Sequence, residues 1–244
     1  MAAPLLEMHG VRKAFQGRSV LVDVGFTLDP GESMALLGRN GSGKSTTLRI
    51  AAGLLAPDSG QLLLGGKPWG PGCKPALSVG YCPQENVLYP DLSVEENLLF
   101  AARLQGLPRH ALPQQIAWAL ERRGLADFAH QRAGQLSGGQ QRRLTLAASA
   151  IHRPQLLIVE EPEAGVDAES RPLLTSFLKE VAKDGALLWT SHDPALVGKA
   201  ATRALRLELG VVAADGTPAK VLRQVNAAAP VLEFQSVAAW GVTA

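Results

Sequence analysis

Gly38-Arg39-Asn40-Gly41-Ser42-Gly43-Lys44-Ser45-Thr46 has the spacing G-x-x-x-x-G-K-[ST], and its flanks decide what that spacing means. Before it, Ser33-Met34-Ala35-Leu36-Leu37 is a short apolar run between Gly31 and Gly38, which predicts a buried strand. After it, Thr47 to Ala52 has helical spacing. A strand, a glycine-rich turn and a helix N-terminus together make an anion site. The backbone N–H groups point inward and the helix dipole adds partial positive charge. Gly41 and Gly43 put no Cβ between backbone and phosphate. Lys44 is placed for the β- and γ-phosphates, and the Ser45 hydroxyl for a Mg²⁺ shell. The stretch predicts a nucleoside triphosphate site on an α/β fold.

Composition sets the bounds around this site. The 244 residues are 46% hydrophobic and 19% charged, enough for one α/β domain with a sizeable core. A net charge of +2 gives no reason to expect nucleic acid as a partner. Cys73 and Cys82 lack C-x-x-C spacing, so free thiols in a reducing compartment are expected. Met1-Ala2-Ala3-Pro4 has no signal-peptide character. No apolar run approaches the roughly 18 residues of a membrane span. The expected location is therefore cytoplasmic, with any membrane role exercised through a partner.

Leu5–Phe15 and Ser19–Leu28 alternate as two strands joined at Gln16-Gly17-Arg18, and Gln61–Leu64 and Ser78–Cys82 read as two more. Residues Gly65 to Pro75 read as loop, with Trp69 as its packing anchor. After Gln84 the pattern changes. Ser93-Val94-Glu95-Glu96 is a capping box that opens a helix to about Gly106, and Pro113–Arg123 is an amphipathic helix burying Ile116, Leu120 and Trp118. A further helical pattern covers Arg142 to Ile151, and α/β alternation resumes at Gln155–Val159. Asp167 reads as the N-cap of a helix to Lys183, ended by Asp184-Gly185. Ala186–Thr190 is a strand, Pro194–Ala200 a short helix and Arg203–Glu208 a last core strand, with Val231–Phe234 as an added one. The expected layout is one domain: a core of residues 1–84 and 153–223, a helical subdomain 85–152 and an extension 224–244.

A second glycine-rich stretch, Leu136-Ser137-Gly138-Gly139-Gln140-Gln141, precedes a helix and makes a second phosphate site by the same physics. Two such sites in one chain are most simply explained by two protomers facing head to tail, each closing the other's nucleotide. Here the chain resembles the ATP-binding cassette family, whose signature is Leu-Ser-Gly-Gly-Gln. The resemblance runs from about Leu5 to about Leu222 with its motifs in family order. It implies a P-loop core, an antiparallel β subdomain and an inserted α-helical subdomain, with ATP and Mg²⁺ as ligands.

Carried onto this sequence, the resemblance gives Phe15 as the adenine-stacking position; the residue reading alone also allows a core phenylalanine at a strand end. Residues Gly38 to Thr46 hold the phosphates, and Ser137, Gly138, Gly139 and Gln140 hold those of the opposite protomer. Gln84 is the glutamine that reaches Mg²⁺ and the attacking water, His192 the histidine at the γ-phosphate, and Asp167 belongs to the loop that signals across the dimer. Glu161 inherits the general-base role, and Ser45, Gln84 and Glu160 are the metal positions. Glu160 departs from the family's aspartate: the added methylene moves its oxygens about an ångström, with turnover the property at stake. Glu163 replaces a small or hydroxyl residue. His9, His110, His130 and His152 are left to surface or packing.

The resemblance implies an ATPase subunit that drives a membrane transporter, most like the ATPases of drug- or polysaccharide-type exporters. Its partners would be a second cassette, identical or not, and integral membrane permease subunits that dock beside Glu85 to Leu98 at the cytoplasmic face. The alternative is a non-transport cassette of the iron–sulfur assembly type.

Overall fold

The computed structural model describes residues 3–227, so the expected strand at Val231–Phe234 lies outside the described residues. Ten strands form one mixed sheet: β1 (Leu6–Phe15), β2 (Arg18–Leu28), β3 (Ser33–Leu37), β4 (Ser59–Leu64), β5 (Lys67–Pro68), β6 (Val79–Cys82), β7 (Leu156–Val159), β8 (Ala186–Thr190), β9 (Arg203–Glu208) and β10 (Val211–Gly216). Their order is β5-β4-β1-β2-β10-β9-β3-β8-β7-β6. The first four are joined antiparallel, while β9, β3, β8, β7 and β6 run parallel. The result is α/β, as the motifs predicted.

The strand ahead of the P-loop shows why a continuous apolar run was needed. All five residues of β3 are buried. Met34 and Leu36 face one core with Leu48 and Ile50, and Ala35 and Leu37 face another with Phe177 and Trp189. A strand covered on both faces has no polar side to show. On the first face lies α1 (Lys44–Ala51); on the second lie α5 (Arg171–Asp184), α6 (Pro194–Ala200) and α7 (Pro218–Ala227).

Between β6 and β7 the chain forms α2 (Val94–Leu104), α3 (Leu112–Arg122) and α4 (Gly138–Ala150). They enclose a separate apolar cluster that includes Val94, Leu98, Ile116, Leu120 and Leu144, with Trp118 half-buried against it. The capping box at α2 is present: Glu96 N–H donates to Ser93 Oγ (3.1 Å) and Ser93 N–H to Glu96 Oε2 (2.7 Å). Trp69 is an anchor, its Nε1 donating to Ala51 O at 2.9 Å.

Four expectations about element boundaries are corrected. Lys67–Pro68 is a short strand inside the expected loop. The helix expected from Arg142 starts at Gly138, because Ser137 and Gln140 form a second capping box that outweighs the poor helix propensity of two glycines. Asp167 does not cap α5. Its Oδ1 accepts Ser170 N–H (2.7 Å) in a preceding turn, and the helix starts at Arg171, with Pro172 in the first turn where no N–H is needed. Finally, β9 is followed by β10, which pairs back on it antiparallel, and by α7.

Candidate functional site

The carboxyl ends of β3, β6, β7 and β8 lie along one edge of the parallel sheet, where ligands of such folds collect. A cavity of about 1150 Å³ opens there, lined by Arg39, Asn40, Gly41, Gly43, Lys44, Ser45, Thr46, Gln84, Glu161 and His192. Gly38 and Ser42 face a second hollow of about 820 Å³ on the other side of the loop. Two glycines are required by geometry. At Gly43 (φ 103°) a Cβ would collide with Leu21, and at Gly38 (φ 149°) with Ser42 Oγ at 2.6 Å. Gly43 precedes α1 with no side-chain cap, so the first-turn N–H groups stay available to an anion. Lys44 Nζ donates to the Gly38 and Arg39 carbonyls (2.8 and 3.2 Å). Burial holds its pKa below the ordinary lysine value, with the negative charge of Glu161 acting in the opposite sense.

Glu161 stands opposite this loop, at the end of β7. Both carboxylate oxygens are engaged: Oε2 accepts Gln84 Nε2–H (3.0 Å), and Oε1 lies 3.2 Å from His192 Nε2. Its backbone adopts a left-handed φ of 42°, a strained choice for a residue with a side chain. Its N–H donates to Thr190 Oγ1 (3.1 Å) and its carbonyl accepts from Arg142 Nη2 (3.0 Å). The three residues expected to act on the nucleotide thus meet at one carboxylate. Among the five histidines only His192 is there. His130 is exposed beside Glu95, His9 beside Glu7, and His110 is exposed. Burial lowers the His152 pKa, and its Nε2 lies by Val79 O.

Glu160 is not among the residues that line the cavity. Its carboxylate accepts the Tyr81 hydroxyl and lies 3.7 Å from Arg49 Nε. Burial, then the hydrogen bond to Glu160 and its charge, pushes the Tyr81 hydroxyl up to about 12. Phe15 is 45% exposed, which rules out the core position, and pairs with Arg18, a residue of the cavity wall. Ser137–Gln140 and Asp167 do not line the cavity but adjoin each other: a Cβ at Gly139 would sit 3.2 Å from Asp167 Oδ2.

Sequence reasoning missed Arg142. One turn inside α4 and 1% exposed, it donates to the carbonyls of Pro83 (2.7 Å), Gln84 (3.1 Å), Glu161 (3.0 Å) and Glu160. It joins the signature helix to both segments that carry the Glu161 cluster. The signal was present: Arg142 falls on the buried stripe with Gly139, Thr145 and Leu146, an odd place for a guanidinium with no carbonyls to meet.

Comparison with known proteins agrees with this geometry. The ABC transporter family model matches residues 21–164, more than half of the chain. A linearmycin resistance ATP-binding protein of Bacillus subtilis is 36% identical over 77% of this chain, and the match spans 61% of that protein. A Nod factor export ATP-binding protein of Rhizobium is 35% identical over 92% of this chain and 74% of its own length. Among solved structures, an ATP-binding subunit of an ABC transporter superposes with a TM-score of 0.79 at 28% identity, covering 91% of this chain and 93% of that one. The cbiO1 protein of Clostridium perfringens, part of the ABC transporter complex cbiONQ, gives 0.78 at 27% identity over 93% and 96%. Family model, relatives and fold converge with the P-loop and signature, and the chain belongs to the ABC transporter family as an ATP-binding cassette domain.

Proposed function

We propose that this chain is the ATP-binding and ATP-hydrolysing subunit of a membrane exporter, working as one half of a head-to-tail pair of cassettes. The observation that carries the proposal is Glu161, poised across the cavity from the P-loop with Gln84 and His192 on its two oxygens. A carboxylate fixed at both oxygens is oriented to take the proton of the attacking water, while Lys44 and the loop N–H groups receive the phosphates. The Ser45 hydroxyl and Gln84 amide line the same cavity and offer the oxygen donors a hard cation takes. Bound Mg²⁺ would neutralise charge on the β- and γ-phosphate oxygens. Phe15, exposed beside the Arg18 wall, offers a ring for adenine.

Ser137–Gln140 and Asp167 serve the opposite protomer's nucleotide, since they lie outside this chain's own cavity. The membrane subunit docks on the helical subdomain, where Val87, Tyr89, Phe100 and Leu104 leave large apolar surfaces exposed. Tyr89 and Phe100 stack edge-on at 4.6 Å, and Asn97 holds the Tyr89 backbone in place with two hydrogen bonds (2.9 and 3.1 Å). No described helix is long and apolar enough to cross a membrane. Export as the direction is supported by the relatives named for Nod factor export and linearmycin resistance.

The test is affinity capture of the tagged chain from detergent-solubilised native membranes. Co-purification of a multi-span membrane protein is the expected result. Recovery of soluble partners alone would move the chain to the non-transport cassettes.

A further inference from the structure

The turn after β7 carries another glutamate, Glu163, two residues beyond Glu161. Its Oε1 accepts two hydrogen bonds from the turn after β8: the Ser191 hydroxyl at 2.7 Å and the His192 backbone N–H at 2.8 Å. The Ser191 hydroxyl also accepts Asp193 N–H (3.0 Å), and Asp193 caps α6 and pairs with Arg171 of α5. His192 is therefore gripped twice by one turn, at its backbone by Glu163 and at its ring by Glu161.

We propose that Glu163 is a positioning residue that locks the His192 turn to the Glu161 loop, so that the imidazole is registered against Glu161 through its backbone as well as its ring. This rests on the ATPase reading above. A backbone N–H held by a carboxylate makes one of the stronger classes of hydrogen bond, and one oxygen here holds two donors. Its other oxygen, Oε2, is buried with no partner among the described residues. An unpaired buried oxygen costs stability rather than adding it, so the carboxylate's place is explained by what Oε1 holds.

The test compares Glu163→Ala and Glu163→Gln with the wild-type full chain by amide hydrogen exchange of residues 188–196 and by ATP turnover. Gln keeps the acceptor that faces Ser191 and His192; Ala removes it. In Glu163→Ala, His192 amide exchange should rise about tenfold or more and kcat fall about tenfold, with KM little changed. Glu163→Gln should stay within about twofold of wild type in each. Unaltered exchange in Glu163→Ala, or an equal loss of kcat in both variants, overturns the proposal. If wild type binds ATP without hydrolysing it, the ATPase reading fails, and the exchange comparison still decides whether Glu163 tethers the turn.

Discussion

Helices α1 and α4 both start beside a glycine, and they spend their first N–H groups differently. Helix α1 follows Gly43, which is left-handed and offers no side-chain cap, so its opening turn is left to a ligand. Helix α4 follows Ser137 in a full capping box: Gln140 N–H goes to Ser137 Oγ (3.3 Å) and Ser137 N–H to Gln140 Oε1 (2.8 Å). Only the Gly138 and Gly139 N–H groups then lack an acceptor within the helix. The first helix also has Lys44, Gln84, Glu161 and His192 around it, whereas the second has the Gly165–Asp167 loop. One end has further polar groups gathered around it; the other, on the head-to-tail reading proposed above, is completed by a second protomer. The two glycine-bearing helix starts thus differ in how many donors the sequence leaves unspent.

Removing the ammonium tests the first end. Lys44→Ala should weaken ATP binding about a hundredfold or more, measured by equilibrium dialysis, because the cavity loses the Lys44 charge at the phosphate loop. A smaller effect of a different kind is expected at the second end. Gly139→Val would press on Asp167 Oδ2 and Gly165 O, so turnover of the purified complex should fall about tenfold while ATP affinity of the single chain holds. Equal losses of affinity from the two substitutions would erase the contrast between the helices.

Arg142 ties the second end to the Gln84 and Glu161 segments. Arg142→Met strands the carbonyls of Pro83, Gln84, Glu160 and Glu161, and should cost about 3 kcal/mol, or a fall of roughly 6–12 °C in melting temperature by calorimetry. The smallest effect is on the phenol behind the cavity. Tyr81 is raised above its ordinary 10.0 to about 12, by burial and then by Glu160. A raised folded-state pKa contributes stability that is fully present below about pH 10 and is lost as pH rises through about 12. Ultraviolet titration should show a late phenolate near pH 12 that Tyr81→Phe abolishes, together with that part of the alkaline stability loss.

The P-loop was legible because its chemistry is local: a buried strand, glycines at fixed offsets and a lysine at a helix start are all written within about fifteen residues. The same holds for the capping box at Ser93. What stayed hidden depends on distant neighbours. Nothing near Glu163 in sequence reports that Ser191 and His192, 28 and 29 residues on, would donate to it. The orientation of Glu160 depended likewise on Tyr81, 79 residues earlier. Helix α4 starts ahead of the helical pattern at Arg142 for a local reason: the Ser137–Gln140 capping box overrides the poor helix propensity of two glycines. Sequence placed Gln84, Glu161 and His192 at strand ends, and the sheet order then brought them to one carboxylate.

Glu161→Gln tests the central claim most directly. It keeps the size of the side chain and removes the base. ATP affinity should stay within about twofold of wild type and steady-state turnover fall about a hundredfold or more. Turnover within about twofold of wild type would contradict it and take the catalytic role away from Glu161.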